Sequence, residues 1–339
     1  MKVFCDGVFD LFHSGHYSHF KKIKDKYHNC TLIVGVMNDK DATNYKRQPI
    51  HTIDKRMKMV SSCKYVDKVT KDYPIVMNKQ FMDNNNIDLI VHAFSDKQDI
   101  DKQNIYFEYP KSIGKFETIE YDTSISTTKI IHNINNSTNN STNNKQGWDR
   151  IWELKGQTTS NNLFDINGYD DTDFNYEETF KHIISKLGIN EGERILEVGC
   201  GAGMFTKLFM NDYDYYGIDY SRSLINKNIE LNNSIVYNCE AIDTPFKDKY
   251  FDYVISVGVF EYFPNKQYMN NVLKEINRVC SKGIYILNIR HKTHSNKLNK
   301  HKFDGPTTHT IFQKDDFNNF EIIDSTYEQN SRFSAYKSL

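Results

Sequence analysis

Two histidines and a glycine stand close together near the start of the chain, in the order His13-Ser14-Gly15-His16. They follow the apolar run Val3 to Phe9 and lead directly into a helix-like segment. The first turn of a helix offers free backbone N–H groups and the positive end of the helix dipole, and both attract phosphate. Imidazole N–H groups are further donors for phosphoryl oxygens. The spacing predicts a phosphate-handling loop, although two histidines beside a turn also occur as surface residues.

A second chemical motif lies in the other half of the chain, where a strand-like run ends in alternating glycines. The run Arg194 to Gly199 leads through Gly201 to Gly203, and a helix-like segment follows. Glycines there let a ligand lie against the backbone without obstruction by side chains. Their spacing differs from the Gly-x-Gly-x-x-Gly dinucleotide fingerprint, which disfavours a nicotinamide-dependent oxidoreductase. Asp219 ends the next strand-like run, where a ribose-binding carboxylate is expected.

Strand-like and helix-like segments alternate around both motifs. Runs such as Thr31 to Met37 and Ile87 to His92 belong to the first half, and the alternation returns from Arg194 onwards. This predicts an α/β protein with two doubly wound parallel sheets, whose ligands bind at the carboxyl ends of the strands. Between them, Asn135 to Asn144 is a polar, low-complexity tract. We expect one domain over 1–134, a disordered, flexible Asn/Ser/Thr linker over 135–147 and a second domain over 148–339.

The composition limits the kinds of molecule that the protein is expected to bind. The 339 residues carry a formal net charge of -1, so the sequence indicates small-molecule substrates and no nucleic acid. No run approaches the roughly 18 to 20 apolar residues of a membrane span, and the first residues do not form an export signal. The six cysteines form no Cys-x-x-Cys pair. We therefore expect a cytoplasmic protein with no membrane insertion, no protein-bound metal and reduced thiols.

The loop from Asp6 to His16 resembles the signature of the CTP:phosphocholine cytidylyltransferases, and Ile125 to Ile131 resembles the motif that closes their catalytic domain. Asn44 to Lys46 and Asp54 to Arg56 resemble further segments of the family. This resemblance spans residues 1–134. It implies transfer of a cytidylyl group from CTP to a phosphorylated small alcohol, such as phosphocholine or phosphoethanolamine, with release of pyrophosphate. It also implies Mg²⁺ on the triphosphate and a homodimer formed through this domain.

The same resemblance implies roles for particular residues. His13 and His16 would stabilise the α-phosphate in the transition state, Lys46 would bridge the substrate and nucleotide phosphates, and Arg56 would hold the substrate phosphate. The nucleotide-binding residues implied are Asp6, Gly7, Val8, Phe9, Gly15, Ser126, Thr127 and Thr128. Two positions depart from the family pattern: Tyr121 to Ser124 replaces an Arg-Thr-x-Gly sequence, and Ala93 replaces an aspartate. These departures leave open a first half that binds ligands without catalysis.

The glycine motif from Glu197 to Gly203 resembles motif I of the class I S-adenosylmethionine-dependent methyltransferases, and the resemblance covers residues 148–339. It implies a Rossmann-like domain that methylates a small molecule, with Asp219 on the ribose and Glu240 facing the adenine amino group. The cofactor-binding residues implied are Glu197, Gly199, Gly201, Gly203, Asp219, Glu240, Ala241 and Ile242. The leading hypothesis is thus a bifunctional transferase that makes a CDP-linked, methylated small molecule for phospholipid head groups or surface glycans. The alternative is that only one half is catalytic and the other is a ligand-binding or scaffolding module.

Overall fold

The computed structural model describes residues 1–45, 47–122, 127, 147–169, 174–291, 309–324 and 332–339. The chain divides into two compact units. The first unit consists of Met1–His132 with Pro245–Lys247, and the second of Asn133–Thr244 with Asp248–Leu339. The predicted linker, from 135 to 147, lies almost wholly outside the described residues, and so do the predicted site residues Lys46, Ser126 and Thr128.

Five strands and six helices form the described part of the first unit. The strands are β1 (Lys2–Gly7), β2 (Thr31–Val36), β3 (Lys68–Thr70), β4 (Leu89–His92) and β5 (Phe116–Thr118). The helices are α1 (Ser14–Lys26), α2 (Asp39–Tyr45), α3 (Ile53–Ser62), α4 (Lys79–Asn85), α5 (Lys97–Gln103) and α6 (Glu108–Ser112), with a 3-10 turn at Asn104–Phe107.

The first unit's sheet is parallel throughout and has the strand order β3-β2-β1-β4-β5. Its central strand, β1, is buried from Val3 to Asp6, as expected for a strand covered by helices on both faces. The chain order reverses between β1 and β4. The carboxyl ends of those two strands therefore flank a topological switch point, where ligands of such sheets bind.

Seven strands form the described part of the second unit's sheet. They are β6 (Arg194–Val198), β7 (Asp214–Asp219), β8 (Val236–Asn238), β9 (Phe251–Val257), β10 (Cys280–Arg290), β11 (Glu321–Asp324) and β12 (Arg332–Ser338). The helices are α7 (Trp148–Gly156), α8 (Leu163–Ile166), α9 (Tyr176–Leu187), α10 (Thr206–Asp212), α11 (Arg222–Asn232) and α12 (Lys266–Val279), with 3-10 turns at Phe260–Tyr262 and Lys314–Phe317.

The strand order of this second sheet is β11-β12-β10-β9-β6-β7-β8. The five strands from β10 to β8 are parallel, and β12 pairs antiparallel with both β10 and β11. The switch point lies between β6 and β9. The predicted fold class, two α/β sheets dominated by parallel strands, is therefore confirmed. None of the helices in the described ranges combines the length and the apolarity needed to cross a bilayer.

Candidate active sites

The loop between β1 and α1 has a strained backbone. Phe9 and Leu11 both adopt positive φ values, 51° and 47°, which bulky side chains rarely tolerate. Such outliers persist only where the surroundings fix them, and they cluster at functional sites. Buried Asp10 supplies part of that fixation, because its carboxylate accepts the backbone N–H groups of Ile50 at 2.9 Å and His51 at 3.0 Å. Asp10 thus anchors the loop to the segment that precedes α3.

His13 and His16 face each other at the start of α1. His13 is the N-cap, and its Nδ1 accepts the backbone N–H of Gly15 at 3.2 Å. Nδ1 of His16 accepts the backbone N–H of His13 at 3.3 Å, and the two rings stack with centroids 3.7 Å apart. Burial, reinforced by the neighbouring His13 and His19, holds the pKa of His16 well below its usual range. An imidazole whose Nδ1 accepts a hydrogen bond carries its proton on Nε2, so both residues present an N–H donor there.

His92 enters the same cavity from the carboxyl end of β4, across the switch point. Its side chain is nearly buried, and its Nδ1 lies 3.1 Å from Oδ1 of Asp6. Within the described residues, its Nε2 has no hydrogen-bond partner. His19 adds a fourth imidazole, and burial, with His92 and Lys22, lowers its pKa to about 3. Sequence reasoning assigned no role to His92, although its place at the end of the strand next to β1 was the available signal.

A polar network forms another wall of this cavity. The hydroxyl of Tyr45 donates a short hydrogen bond to the Asp99 carboxylate, and Gln103 Nε2 donates to the Tyr45 hydroxyl at 2.9 Å. Ser95 donates its backbone N–H to Asp99 at 2.8 Å. Burial alone would raise the pKa of Asp99, but the hydrogen bonds from Tyr45, Ser95 and Gln103 lower it below its ordinary value. The cavity itself has a volume of about 160 Å³, which is small for a nucleoside triphosphate.

The other predicted residues of the first unit fall into two groups. Asp6, Gly7, Val8, Phe9, Gly15 and Thr127 all line the cavity with the two histidines, and Thr127 Oγ1 donates to the Asp10 carbonyl at 2.9 Å. Arg56 does not line it. Its guanidinium is fully buried and donates to the carbonyls of Val8 and His51 and to the carboxylate of Asp39. These contacts make Arg56 a positioning residue for the histidine loop rather than a group at the cavity surface.

The glycine-rich loop of the second unit follows β6. Gly199, Gly201 and Gly203 have φ values of 78°, 51° and 97°, a region in which residues with a Cβ are strained. Space is also limiting: a Cβ on Gly201 would lie 2.2 Å from Oδ1 of Asn167. Asn167 Oδ1 instead accepts the backbone N–H of Ala202 at 2.9 Å. The sequence did not single out Asn167, because it reaches the loop from α8, more than thirty positions away.

Asp219 ends β7 beside this loop. Its Oδ2 accepts the backbone N–H of Gly201 at 3.0 Å, and its Oδ1 accepts that of Ser221 at 2.8 Å. Burial raises the pKa of Asp219 to about 6 and that of Glu197, which accepts a hydrogen bond from the Tyr215 hydroxyl at 2.6 Å, to about 8. Both carboxyls line a cavity of about 600 Å³ at the carboxyl end of the sheet. That volume lies within the roughly 300 to 1,000 Å³ typical of ligand pockets.

The predicted adenine segment is only partly at this cavity. Glu240 and Ala241 line it, and Glu240 accepts a hydrogen bond from the Tyr268 hydroxyl at 2.6 Å. Ile242 is 37% exposed and is not among the lining residues. Six of the eight residues predicted for the cofactor therefore line the cavity. Gly203 and Ile242 do not, and a Cβ on Gly203 would meet Asn228 and Asn232 of α11.

Helix α7 closes one side of the cavity. Trp148 and Trp152 both line it, and Trp152 is also buried in a cluster with Ile166, Ala202 and Leu224. Tyr262 packs edge-on against both indoles, with centroid distances of 4.8 Å and 5.1 Å. No group of three or more His, Cys, Asp or Glu side chains arranged to hold a metal ion occurs within the ranges that the structure describes.

Two family models match the chain. Residues 4–133 match the cytidylyltransferase-like model, and residues 196–287 match a methyltransferase domain model. Over 135 residues the chain is 36% identical to choline-phosphate cytidylyltransferase 2 of Arabidopsis thaliana, which covers 40% of this chain and 44% of that protein. Ethanolamine-phosphate cytidylyltransferase of Dictyostelium discoideum is 29% identical over 160 residues, covering 47% and 41%.

Among solved structures, a SAM-dependent methyltransferase of Methanosarcina mazei is 17% identical, with a TM-score of 0.39 over 46% of this chain and 96% of that one. The chain spans less than half the length of the cytidylyltransferases that it matches.

Proposed function

The chain carries a cytidylyltransferase-like domain and a methyltransferase domain, and from this premise we propose that it is a bifunctional transferase. The first activity transfers a cytidylyl group from CTP to a phosphorylated small alcohol. The second transfers a methyl group from S-adenosylmethionine to a small molecule. The domain bounds 1–134 and 148–339, the flexible linker, the homodimer and the cytoplasmic location stay predictions.

The first reaction needs no nucleophile from the protein. A phosphate oxygen of the substrate attacks the α-phosphorus of CTP, a new P–O bond forms, and the bond to the leaving pyrophosphate breaks. Negative charge on the phosphoryl oxygens has to be stabilised by donors that are already in place. The observation that supports this role most directly is the paired arrangement of His13 and His16, whose backbone hydrogen bonds to Nδ1 place the proton on Nε2 of both rings.

Phosphocholine or phosphoethanolamine is the proposed class of substrate, as the names of the matched cytidylyltransferases suggest. Asp99, kept ionised by its hydrogen bonds, supplies negative charge in the cavity although Ala93 stands in place of the family's aspartate. Mg²⁺ would be held mainly by the triphosphate, because Asp6 and Asp10 are already engaged with protein groups.

In the second reaction, the lone pair of an acceptor atom attacks the methyl carbon of the sulfonium. The S–CH₃ bond breaks, its electron pair stays on sulfur as S-adenosylhomocysteine, and the acceptor loses a proton where it has one. The supporting observation is Asp219 at the end of β7, next to a glycine loop that leaves the backbone exposed to the cavity. Asp219 would accept both ribose hydroxyls, and the negative charge of Asp219 and Glu240 suits a cationic cofactor.

One experiment tests both halves. Pyrophosphate release is measured with CTP and a panel of phosphoalcohols and phosphosugars, and S-adenosylhomocysteine formation is measured with the same panel as methyl acceptors. We expect pyrophosphate release with phosphocholine or phosphoethanolamine. A chain that binds CTP but releases no pyrophosphate with any member would support the alternative, in which the first half only binds ligands.

A further inference from the structure

An irregularity at the carboxyl end of β10 shapes the cavity of the second unit. The pairing of β10 with β12 shifts register between Ile286 and Ile289, and Asn288 within this bulge has a φ of 59°. Bulges redirect side chains and are common beside binding sites. Asn288 and Arg290 both line the cavity. They belong to β10, which β9 separates from β6, the strand that leads into the glycine loop.

Arg290 and Arg332 occupy directly opposite positions in this antiparallel pair. They are only 4% and 7% exposed, and both line the cavity. Like charges directly opposite one another destabilise a sheet, so two buried arginines are a costly choice for packing alone.

Glu261 holds the two guanidinium groups in place. Arg290 Nε donates a short hydrogen bond to its Oε2, and Arg332 Nη1 donates to its Oε1 at 3.1 Å and to the Asn288 carbonyl at 2.8 Å. Glu261 is itself 3% exposed and is fixed through its backbone, whose carbonyl accepts the N–H of Thr310 at 2.8 Å. Glu261 therefore orients both guanidinium groups at the cavity wall.

The charges that line this cavity are divided by position. Asp219 and Glu240 come from the end of β7 and the turn after β8, where the cofactor is proposed to bind. Glu197 on β6 also lines the cavity, but burial raises its pKa to about 8, so it is uncharged near neutral pH. The arginines come from β10 and β12, on the other side of β9. A cationic sulfonium fits the acidic part, and the basic part fits a ligand of opposite charge.

We propose that Arg290 and Arg332 bind the methyl acceptor through an oxyanion, a phosphate or a carboxylate. This rests on the proposed methyl transfer and adds the class of acceptor. Guanidinium groups match the geometry of both oxyanions and form strong, charge-assisted hydrogen bonds with them. Trp148, Tyr262 and His309, whose rings lie 4.6 to 5.4 Å apart, line the same cavity and would contact the less polar body of the acceptor.

The test compares the full chain with its Arg332→Gln variant. Inorganic phosphate and acetate are titrated separately by calorimetry into protein saturated with S-adenosylhomocysteine. Removal of one charged donor is expected to weaken binding of the recognised oxyanion by about 10- to 100-fold. Loss for phosphate alone identifies a phosphorylated acceptor, and loss for acetate alone identifies a carboxylate. Phosphate that binds to the first unit contributes equally to the titrations of all variants, so it does not affect the comparison between them.

Arg194→Gln is the matched control, because it removes a guanidinium that lies over the Tyr250 ring at the amino end of β6, away from the cavity lining. It should leave oxyanion binding unchanged. If Arg332→Gln no longer binds S-adenosylhomocysteine, Arg332→Lys is used instead. Lysine keeps the positive charge but lacks the planar guanidinium, so a smaller loss of oxyanion affinity is expected.

Equal binding of both oxyanions by the wild type and the Arg332 variants would overturn the proposal and leave the arginines a purely structural role. If the wild type binds no S-adenosylhomocysteine, the proposed methyl transfer fails. The oxyanion titration of the same proteins without it still decides whether the arginines form an anion site.

Discussion

The two cavities lie at the same place in their sheets but are built from opposite chemistry. In the first unit the wall next to β1 presents imidazoles, with His13 and His16 held as N–H donors. In the second unit the wall next to β6 presents carboxyl groups, and Asp219 and Glu197 are buried hydrogen-bond acceptors there. The difference follows the chemistry of the proposed ligands. A triphosphate requires hydrogen-bond donors, whereas a ribose requires hydrogen-bond acceptors and a sulfonium requires negative charge. Topology determines where the site lies, and side chains determine what it binds.

The two loops also reach their shapes differently. The second unit uses glycines at positive φ, whereas the first places Phe9 and Leu11 in the same region of backbone space. Asp10 and Arg56 fix that strained loop through backbone hydrogen bonds. The first site therefore depends on buried polar contacts behind the loop, and the second depends on the absence of side chains within it.

The largest effect is expected from His16→Ala. Loss of one preorganised donor should lower the rate of pyrophosphate release by about 10² to 10³. Methyl transfer should not change. His28→Ala, an exposed histidine just after α1, is the control and should keep the full rate. An undiminished rate in His16→Ala would refute its assigned role.

Arg56→Met distinguishes a positioning residue from a substrate ligand. The buried Arg56 donates to Asp39 and two backbone carbonyls, so its loss should reduce the free energy of unfolding of the first unit by about 3 kcal/mol. Urea unfolding measures this, with Lys40→Met, an exposed cation on α2, as the control. Unchanged stability with a raised KM for the phosphoalcohol would instead show that Arg56 holds the substrate.

Asp219→Ala should weaken S-adenosylmethionine binding by roughly 1.5 to 3 kcal/mol, because the ribose hydroxyls lose a charged acceptor. Calorimetry gives the affinity directly. Asp212→Ala, which removes an exposed carboxylate at the end of α10, should have no effect. An unaltered affinity in Asp219→Ala would mean that the cofactor does not contact the end of β7.

The smallest effect is a pH dependence. Because burial raises the pKa of Asp219 to about 6, its carboxylate is protonated below that pH, and cofactor affinity should fall as pH decreases from 7 to 5. Cofactor affinity is expected to be about tenfold lower at pH 5, because pH 5 lies about one unit below the pKa and only about a tenth of the carboxyl groups are then ionised. Asp219→Asn should abolish this dependence. If its affinity follows the same pH curve as the wild type, another group is responsible.

Protonation of Asp219 has the opposite effect on the stability of the folded state, which it increases. A carboxyl whose pKa is 3.8 when unfolded and about 6 when folded binds its proton more tightly in the folded state. Its contribution to stability is present below pH 3.8 and is lost as pH rises through about 6. The ligand-free second unit should therefore gain stability from Asp219 in the acid range in which it loses cofactor affinity.

Motifs that are local in sequence could be predicted, and both family resemblances are confirmed by the matching models. The histidine loop and the glycine loop each follow a strand and Asp219 ends one, so strand-helix alternation was enough to place them at sheet edges. Burial was not predictable: nothing in the segment around Arg56 indicates that its guanidinium turns inward.

Contacts between distant segments could not be predicted either. His92 joins the histidines because β4 pairs with β1, and Arg332 joins Arg290 because β12 pairs with β10. Asn167 reaches the glycine loop from α8. Each of these side chains gains its place from tertiary structure, which the local pattern does not specify.

The central claim is that two separate sites carry two separate activities. Its most direct test measures pyrophosphate release and S-adenosylhomocysteine formation in the same preparations of full-length wild type, His16→Ala and Asp219→Ala. The account predicts both activities in the wild type, loss of only the first in His16→Ala and loss of only the second in Asp219→Ala. Absence of either activity from the wild type, or loss of both in one correctly folded variant, would contradict it.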